Sequence, residues 1–92
     1  MKTIWKFPLE GARLQKVIMP KDAEILSAQL QHDSLYMWAR VEISDEHEVR
    51  EIATYGTGHE MIDAPQRFID TFQVSNGRLV FHVFEIIKEV AA

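Results

Sequence analysis

The stretch LYMWARVEI, residues 35–43, decides the fold, because its apolar and polar residues alternate without a break. Successive side chains of a β-strand point to opposite faces, so this period of two indicates a strand with one buried face. The apolar residues are predicted to face the core, and the aromatic and charged ones to face outward. The first set is Leu35, Met37, Ala39, Val41 and Ile43, and the second is Tyr36, Trp38, Arg40 and Glu42.

The same period continues on both sides of this strand, and no segment shows an apolar stripe with the period of a helix. In the third strand, the alternation places Ile25 on the face opposite to Leu26, Ala28 and Leu30. In the sixth, it places Phe68, Asp70, Phe72 and Val74 opposite to Ile69, Thr71 and Gln73. The candidate strands are residues 3–9, 13–19, 24–31, 35–43, 48–55, 67–74 and 79–87.

Turn residues separate these strands and complete the fold prediction. Pro20, Lys21 and Asp22 form one turn, residues 32–34 form a hairpin connection, and SNGR (75–78) predicts a type I′ hairpin from its Asn-Gly pair. We expect one β domain over residues 1–92, with about seven short antiparallel strands in a small sandwich or partly open barrel, in an oligomer. The tail IIKEVAA fits a helical turn and a strand end equally well.

Composition restricts the classes of function. The chain has 92 residues, of which 47% are hydrophobic, and no cysteine. A disulfide and a thiolate metal site are therefore excluded, and a reducing cytoplasm is the expected location. No segment is typical of a signal peptide or a membrane span, so we expect a soluble protein that does not bind membranes. The net charge of −4 argues against binding of DNA or RNA polymers, yet one pocket for a small nucleotide needs few cations.

The hexapeptide TYGTGH, residues 54–59, interrupts the alternation and holds two of the four glycines. Two positions without Cβ let the backbone approach a ligand, and successive N–H groups there can bind an anion. An aromatic ring beside them offers a stacking face, and a hydroxyl and an imidazole can donate to phosphate. The alternative is a bulge or tight turn that serves backbone geometry alone. The candidate ligand-binding residues are Tyr55, Gly56, Thr57, Gly58 and His59.

A second candidate lies on the outer face of the fourth strand. Trp38 could stack on a base while Arg40, two residues on, pairs with a phosphate. Alternatively, Trp38 lies in a second core layer or in a subunit interface, where Trp and Arg are also enriched. His82 lies between apolar neighbours in VFHVFE and is expected to be a satisfied interior imidazole or an interface residue.

Features of an enzyme or a metal site are missing from the sequence. No G-x-S-x-G elbow and no cysteine nucleophile occur, and the adjacent residues His32, Asp33 and Ser34 on one hairpin would not converge as a triad. The histidines lack zinc-type spacing, and the acidic segment 42–51 is typical of a solvated turn. We therefore expect no catalytic residue, no metal and no cofactor.

Five segments in order resemble a family of small phage and prophage proteins of unknown function, and the resemblance covers nearly the whole chain. It implies a phage origin and the cytoplasm of an infected bacterial host. It also implies a sponge that sequesters a nucleotide second messenger of anti-phage immunity, either a cyclic di- or trinucleotide or an ADP-ribose-type molecule. The segments are TIWKF, MPKDAEILSAQLQ, LYMWA, YGTGH and FIDTFQVSNGRLVFHVFE.

A sponge needs affinity without turnover, so the residues interpreted above would share one ligand. Tyr55, Trp38 and Trp5 would stack on bases, and Arg40 and Arg67 would supply cations near the phosphate donors of residues 56–59. Pockets between the subunits of a homo-oligomer would hold the ligand. The alternative is a phage protein–protein interaction module, either an inhibitor of a host factor or a virion or assembly accessory. In such a module the exposed aromatic residues and Arg would be hot spots.

Overall fold

In the computed structural model the chain forms seven β-strands in two sheets, and every pairing is antiparallel. The structure describes residues 1–88, in which there is no helix and hence none that could cross a membrane. This architecture confirms the all-β prediction. The strands are β1 Lys2–Pro8, β2 Leu14–Pro20, β3 Glu24–Gln31, β4 Ser34–Glu42, β5 His47–Gly56, β6 Gln66–Val74 and β7 Leu79–Ile86. The part of the tail beyond residue 88 lies outside the described residues.

The two sheets enclose the core between them. β4 is the centre of a three-stranded sheet with the order β1-β4-β3, and the other four strands follow the order β2-β5-β7-β6. The predicted inner face of β4 is buried from Leu35 to Val41, and it packs against the inner face of the four-stranded sheet. The largest fully buried apolar side chains come from both sheets: Met19, Met37, Val41, Ile52 and Val83.

The sandwich is closed along one side only. There the edge strands β3 and β6 meet through side chains: the Ala28 N–H donates to Asp70 Oδ2 at 3.2 Å, and Gln29 Nε2 donates to the Thr71 carbonyl at 3.2 Å. The other two edges, β1 and β2, pair with no further strand in the described part of the chain. The molecule is therefore a partly open arrangement of two sheets.

A bulge corrects the predicted faces of β3. The register shifts between Ile25 and Ser27, so Leu26 is an extra residue in the ladder. An extra residue reverses the alternation beyond it. As a result Ile25 packs against the core on the same side as Ala28, while Leu26 is 42% exposed.

β6 carries a second bulge, between Phe68 and Asp70. Ile69 packs against the core together with Phe72 and Val74, whereas Phe68 is 56% exposed. The prediction that Phe68 shares the face of Phe72 is therefore wrong, for the same reason as in β3.

Both predicted hairpins are present, with their own turn geometry. His32 and Asp33 form a two-residue connection in which both φ angles are positive, 50° and 66°. In the 75–78 hairpin, the Gly77 N–H donates to the Val74 carbonyl at 3.1 Å. The two residues inside that turn, Ser75 and Asn76, have φ angles of 54° and 56°. Gly77 also has a positive φ, 84°, and the Arg78 N–H donates to the Ser75 carbonyl at 3.2 Å. Asn76 and Gly77 therefore have the two positive φ angles that the sequence predicted.

The aperiodic segment after β5 is a crossover. β5 and β6 both pair antiparallel with β7, which lies between them, so β5 and β6 run parallel to each other. A connection between parallel strands must return along the sheet. Residues 57–65 make this return over the outer face of the four-stranded sheet, the face away from the core.

Candidate functional site

The glycine-containing hexapeptide forms the end of β5 and the first turn of the crossover. The Thr57 N–H donates to the Val80 carbonyl at 3.1 Å, which ties the turn to β7. The His59 N–H donates to the Gly56 carbonyl at 3.0 Å and closes the turn. We call residues 56–59 the glycine turn.

The two positions in this turn require glycine for different reasons. Gly58 has a φ of +89°, a conformation that side-chain-bearing residues adopt at a cost, and no atom lies within 4 Å of where its Cβ would be. A Cβ on Gly56 would lie 3.0 Å from Cε1 and Nδ1 of the His59 ring. Gly56 therefore lets the imidazole pack on the backbone, and Gly58 lets the chain bend.

Tyr55 is buried beneath the crossover and stabilises it. Only 3% of the residue is exposed. Its hydroxyl donates to Gln66 Oε1 at 2.9 Å and accepts from the Ile62 N–H at 3.2 Å. The ring packs beside Phe84 at a centroid distance of 6.0 Å and beneath the guanidinium of Arg13 at 5.7 Å. No face of the ring is open, so in this structure Tyr55 supports the crossover and does not offer the stacking surface that the sequence predicted.

A hydrogen-bonded chain of three side chains holds the glycine turn to the outer face of the sheet. Thr57 Oγ1 lies 2.7 Å from His82 Nε2, and His82 Nδ1 lies 3.0 Å from Thr71 Oγ1. Thr57 Oγ1 also donates to the Val80 carbonyl at 3.3 Å. With its proton directed there, the Thr57 oxygen accepts from His82 Nε2, and Nδ1 accepts from Thr71. His82 is thus a satisfied, half-buried imidazole.

A cleft of about 240 Å³ lies beside the glycine turn. Gly56, Thr57 and His59 line one side, and residues 78–81 line the other. Arg78 is exposed and forms no ion pair with a carboxylate of residues 1–88. Leu79 next to it is 52% exposed. We call this space the turn cleft.

The turn cleft combines a cation with donors and an apolar wall. The planar guanidinium of Arg78 can bind two oxygens of a phosphate or carboxylate at once, and the imidazole of His59 can donate a further hydrogen bond. Leu79 can contact an apolar part of the same ligand. The volume lies below the roughly 300 Å³ at which ligand pockets begin. The cleft therefore suits one anionic group and the ring next to it, with the rest of the ligand outside.

Trp38 and Arg40 lie in the other layer of the molecule. They project from the outer face of the three-stranded sheet, as predicted, and are therefore separated from the glycine turn by the core. Trp38 is half-buried next to Tyr36, with ring centroids 6.1 Å apart. Arg40 forms an ion pair with Glu24. The expected combination of this pair with the glycine turn does not occur within one chain.

Arg67 and Trp5 are also distant from the turn cleft. Gly56 is opposite Phe81 in the register, and Arg67 is opposite Glu85. Four residues along β7 correspond to roughly 13 Å. Trp5 lies on the edge strand β1, 39% exposed, with its ring centroid 6.5 Å from that of Phe7.

Near Arg67, the charged side chains of Arg50, Glu48 and Glu85 pair with one another. Arg50 donates to both carboxylate oxygens of Glu85, with Nη2 3.0 Å from Oε1, and its Nη1 lies 3.2 Å from Glu48 Oε1. The hydrogen bond that Arg50 donates to Glu85 raises the pKa of the Arg50 guanidinium above its ordinary value. The Arg50–Glu85 pair is therefore structural in character. Arg67, like Arg78, forms no ion pair within residues 1–88, but it lies beside the carboxylates of Glu48, Glu51 and Glu85, whereas no carboxylate lines the turn cleft.

Arg78 is the site residue that the sequence interpretation missed. It lies in the SNGR turn, where the Asn-Gly signal accounted for the segment and its cation drew no attention. The pairing of β7 with β5 brings it beside the glycine turn. Nowhere in residues 1–88 do three or more His, Asp or Glu side chains form a group that could hold a metal ion.

One comparison with known proteins identifies a family. The model of a family described as "Domain of unknown function (DUF7352)" matches residues 1–91. No curated protein and no solved structure matches the chain. The description carries no ligand and no activity, so a functional argument depends on the geometry of the turn cleft.

Proposed function

The chain belongs to the DUF7352 family, and we propose that it is a non-catalytic protein that binds a small phosphate-bearing ligand in the turn cleft. The observation that carries the proposal is the position of Arg78. It lines the cleft opposite His59 and the glycine turn, with no ion-pair partner in the described part of the chain. The N–H groups of Thr57 and His59 already donate to carbonyls, so the cation of Arg78 and the ring donor of His59 are the groups that match the chemistry of a phosphate.

We further propose that the ligand is a nucleotide second messenger, of the cyclic di- or trinucleotide or ADP-ribose type. The resemblance to small phage proteins supports this part, together with a cleft that holds a phosphate and leaves the rest of a larger molecule outside. In this proposal the protein is phage-encoded, acts in the cytoplasm of the infected bacterium and sequesters the signal of an immune pathway. Sequestration requires affinity and no reaction, and a second copy of the chain would cover the exposed part of the nucleotide.

Thermal unfolding with a ligand panel tests the proposal. The panel contains ADP-ribose, cyclic dinucleotides and cyclic trinucleotides, each added to the full chain and to two Arg variants. A ligand at 100 times its Kd stabilises the folded state by about 2.7 kcal/mol, which raises the Tm by several degrees. Arg78→Ala is expected to weaken binding by roughly ten-fold or more, because it removes a charge-assisted hydrogen bond.

Arg67→Ala is the matched control, because Arg67 is an exposed Arg of the same sheet at its opposite end. It is expected to leave the ligand-induced shift unchanged. The proposal fails if no member of the panel changes the Tm and native mass spectrometry of the purified protein detects no nucleotide. It also fails if Arg67→Ala removes the shift while Arg78→Ala retains it.

A protein–protein interaction module is the second candidate function, either an inhibitor of a host factor or a virion or assembly accessory. Large apolar side chains on the outer faces of the sheets favour it: Ile4 is 59%, Ile18 68% and Phe68 56% exposed. If this is the function, one host or virion protein should co-purify in a stoichiometric complex, and Ile18→Lys should disrupt that complex while Arg78→Ala should not.

A further inference from the structure

A second crevice, of about 380 Å³, opens between the two sheets, and Phe81 is the one lining residue that it shares with the turn cleft. It lies at the end of the sandwich where the His32–Asp33 hairpin and the connection between β1 and β2 meet. We call it the end crevice. Its inner walls are formed by Leu9, Leu30, Leu35, Thr54, Phe72 and Phe81.

The walls of the end crevice are apolar and packed. Phe72 and Phe81 stack with ring centroids 5.5 Å apart and an interplanar angle of 22°. Leu30 and Leu35 are cross-strand partners next to the hairpin, with Leu35 buried. An apolar cavity of about 150 Å³ is sufficient for benzene. The end crevice is large enough for a molecule with two fused rings.

Thr54 provides a single polar group inside these walls. Its side chain lies on the core face of β5, opposite Val83, and the residue is only 8% exposed. Its N–H donates to the Arg13 carbonyl at 3.2 Å, but its hydroxyl forms no hydrogen bond with the described residues. Within residues 1–88, every side-chain nitrogen or oxygen that solvent cannot reach has a hydrogen-bond partner. Because the Thr54 hydroxyl has none, it must be accessible, and the space it faces is the end crevice. A hydroxyl that faces the crevice and has no partner in the described residues can form a hydrogen bond with a polar group of a ligand.

The rim of the end crevice is acidic. Glu10 and Asp33 line its mouth, and both are exposed. Two carboxylates at an apolar opening disfavour an anionic ligand. The end crevice therefore favours a neutral ligand, whereas the turn cleft, with Arg78, favours an anionic one.

We propose that the end crevice is a second binding site, which takes a small neutral molecule the size of a fused two-ring aromatic with one hydrogen-bonding group for Thr54. This site does not depend on the proposed phosphate ligand of the turn cleft. The proposal rests on the apolar walls, the inward hydroxyl of Thr54 and the acidic rim.

Titration of the ¹⁵N-labelled full chain with 2-naphthol and with naphthalene tests the site. Amide shifts are expected around Thr54, Phe72 and Leu35. We expect 2-naphthol to bind about three- to ten-fold more tightly than naphthalene, the factor that one hydrogen bond typically contributes. Thr54→Val, which has the same shape, should abolish this preference, and Thr54→Ser should retain it.

Two controls separate this site from the turn cleft. Arg78→Ala should leave the affinity for 2-naphthol unchanged. In that variant, which lacks the cation of the turn cleft, naphthalene-2-sulfonate should bind more weakly than 2-naphthol because of the acidic rim. Equal affinities for 2-naphthol and naphthalene in the native chain would overturn the proposal. So would shifts with 2-naphthol that cluster away from Thr54, or a preference for the sulfonate in Arg78→Ala. If Thr54→Val does not fold, the native chain and Thr54→Ser decide between these outcomes.

Discussion

At the residue scale, substitution of either glycine of the glycine turn should destabilise the fold, but for a different physical reason at each position. Gly58→Ala forces a side chain into a φ of +89° and is expected to cost about 1–2 kcal/mol in free energy of unfolding. Gly56→Ala places a methyl group 3.0 Å from the His59 ring and is expected to cost about 1 kcal/mol.

A double-mutant cycle with His59→Ala, measured by urea unfolding, distinguishes the two costs. Without the imidazole, the cost of Gly56→Ala should disappear, because the clash is with the ring alone. The cost of Gly58→Ala should remain, because it resides in the backbone. An equal cost for Gly56→Ala with and without His59 would contradict the packing of the ring on the backbone.

Tyr55 is expected to behave as a folding residue. Tyr55→Ala should lower the free energy of unfolding by about 3–5 kcal/mol, as for other buried aromatic residues. Tyr55→Phe should lower it by about 1–2 kcal/mol, because Gln66 and the Ile62 N–H lose their partner. The matched control is Tyr36→Phe, since Tyr36 is half-buried and its hydroxyl bonds to no described residue; its effect should stay within about 0.5 kcal/mol. Equal effects of the two Phe substitutions would contradict the buried hydroxyl of Tyr55.

At the scale of single elements, the bulge in β3 determines which of two neighbouring residues tolerates a charge. Uninterrupted alternation would predict the opposite order. Ile25→Lys should destabilise the fold by about 2–4 kcal/mol, because the side chain packs against the core. Leu26→Lys should change stability by less than about 0.5 kcal/mol, because Leu26 is 42% exposed. Chemical unfolding of both variants is the measurement. The opposite order of stabilities would mean that β3 has no bulge at Leu26.

The ion pair between β5 and β7 is the second prediction at this scale. Glu85 raises the pKa of Arg50 above its ordinary value. The contribution of the pair is therefore fully present at every pH below that ordinary value, and it is lost only as the pH rises through the raised pKa. The Arg50 and Glu85 side chains are 15% and 7% exposed. Arg50→Met leaves a buried carboxylate unpaired and should cost about 3–5 kcal/mol near neutral pH.

Arg40→Met is the matched control for that ion pair. It breaks the pair with Glu24, in which both side chains are more than half exposed. The expected loss is below about 1 kcal/mol, because solvent screens an exposed pair. Urea unfolding of both variants at neutral pH gives the comparison. Similar losses for the two substitutions would contradict the buried character of the Arg50 pair.

Strand positions could be predicted because alternation is a local property of the sequence. LYMWARVEI has the same faces in the structure as in the prediction, apart from Ile43, which lies just beyond β4. The phases of β3 and β6 could not be predicted in full. A bulge inserts one residue without a residue type that marks it, as at Leu26, and the faces on either side then exchange.

At the scale of the whole molecule, the sequence could place the glycine turn but not its neighbours. Which strands pair is decided by the global arrangement, so nothing local indicated that β7 lies between β5 and β6. Tyr55 therefore looked like an exposed ring, and Arg78 remained unnoticed. Trp38 and Arg40 were placed correctly on an outer face, but on that of the other sheet.

Self-association is the prediction that belongs to this scale. Ile18 and Val49 are cross-strand partners on the outer face of β2 and β5, 68% and 43% exposed, and Leu14 follows on the same face at 44%. We expect this apolar surface to join copies of the chain. Light scattering after size exclusion should give the mass of an oligomer for the native chain and of a monomer for Ile18→Glu. Ile4→Glu, at an apolar position on the other sheet that is 59% exposed, should leave the mass unchanged. A monomeric native chain would contradict the expectation.

The central claim is that the glycine turn and Arg78 together bind a phosphate-bearing ligand. The most direct test is a titration of the ¹⁵N-labelled chain with ADP-ribose and, separately, with a cyclic dinucleotide. With at least one of them, saturating shifts are predicted at the amides of Thr57, Gly58 and Arg78, while those of Trp38 and Arg67 stay in place. The absence of shifts with both ligands, or shifts centred on Trp38 with the glycine turn unmoved, would contradict the account.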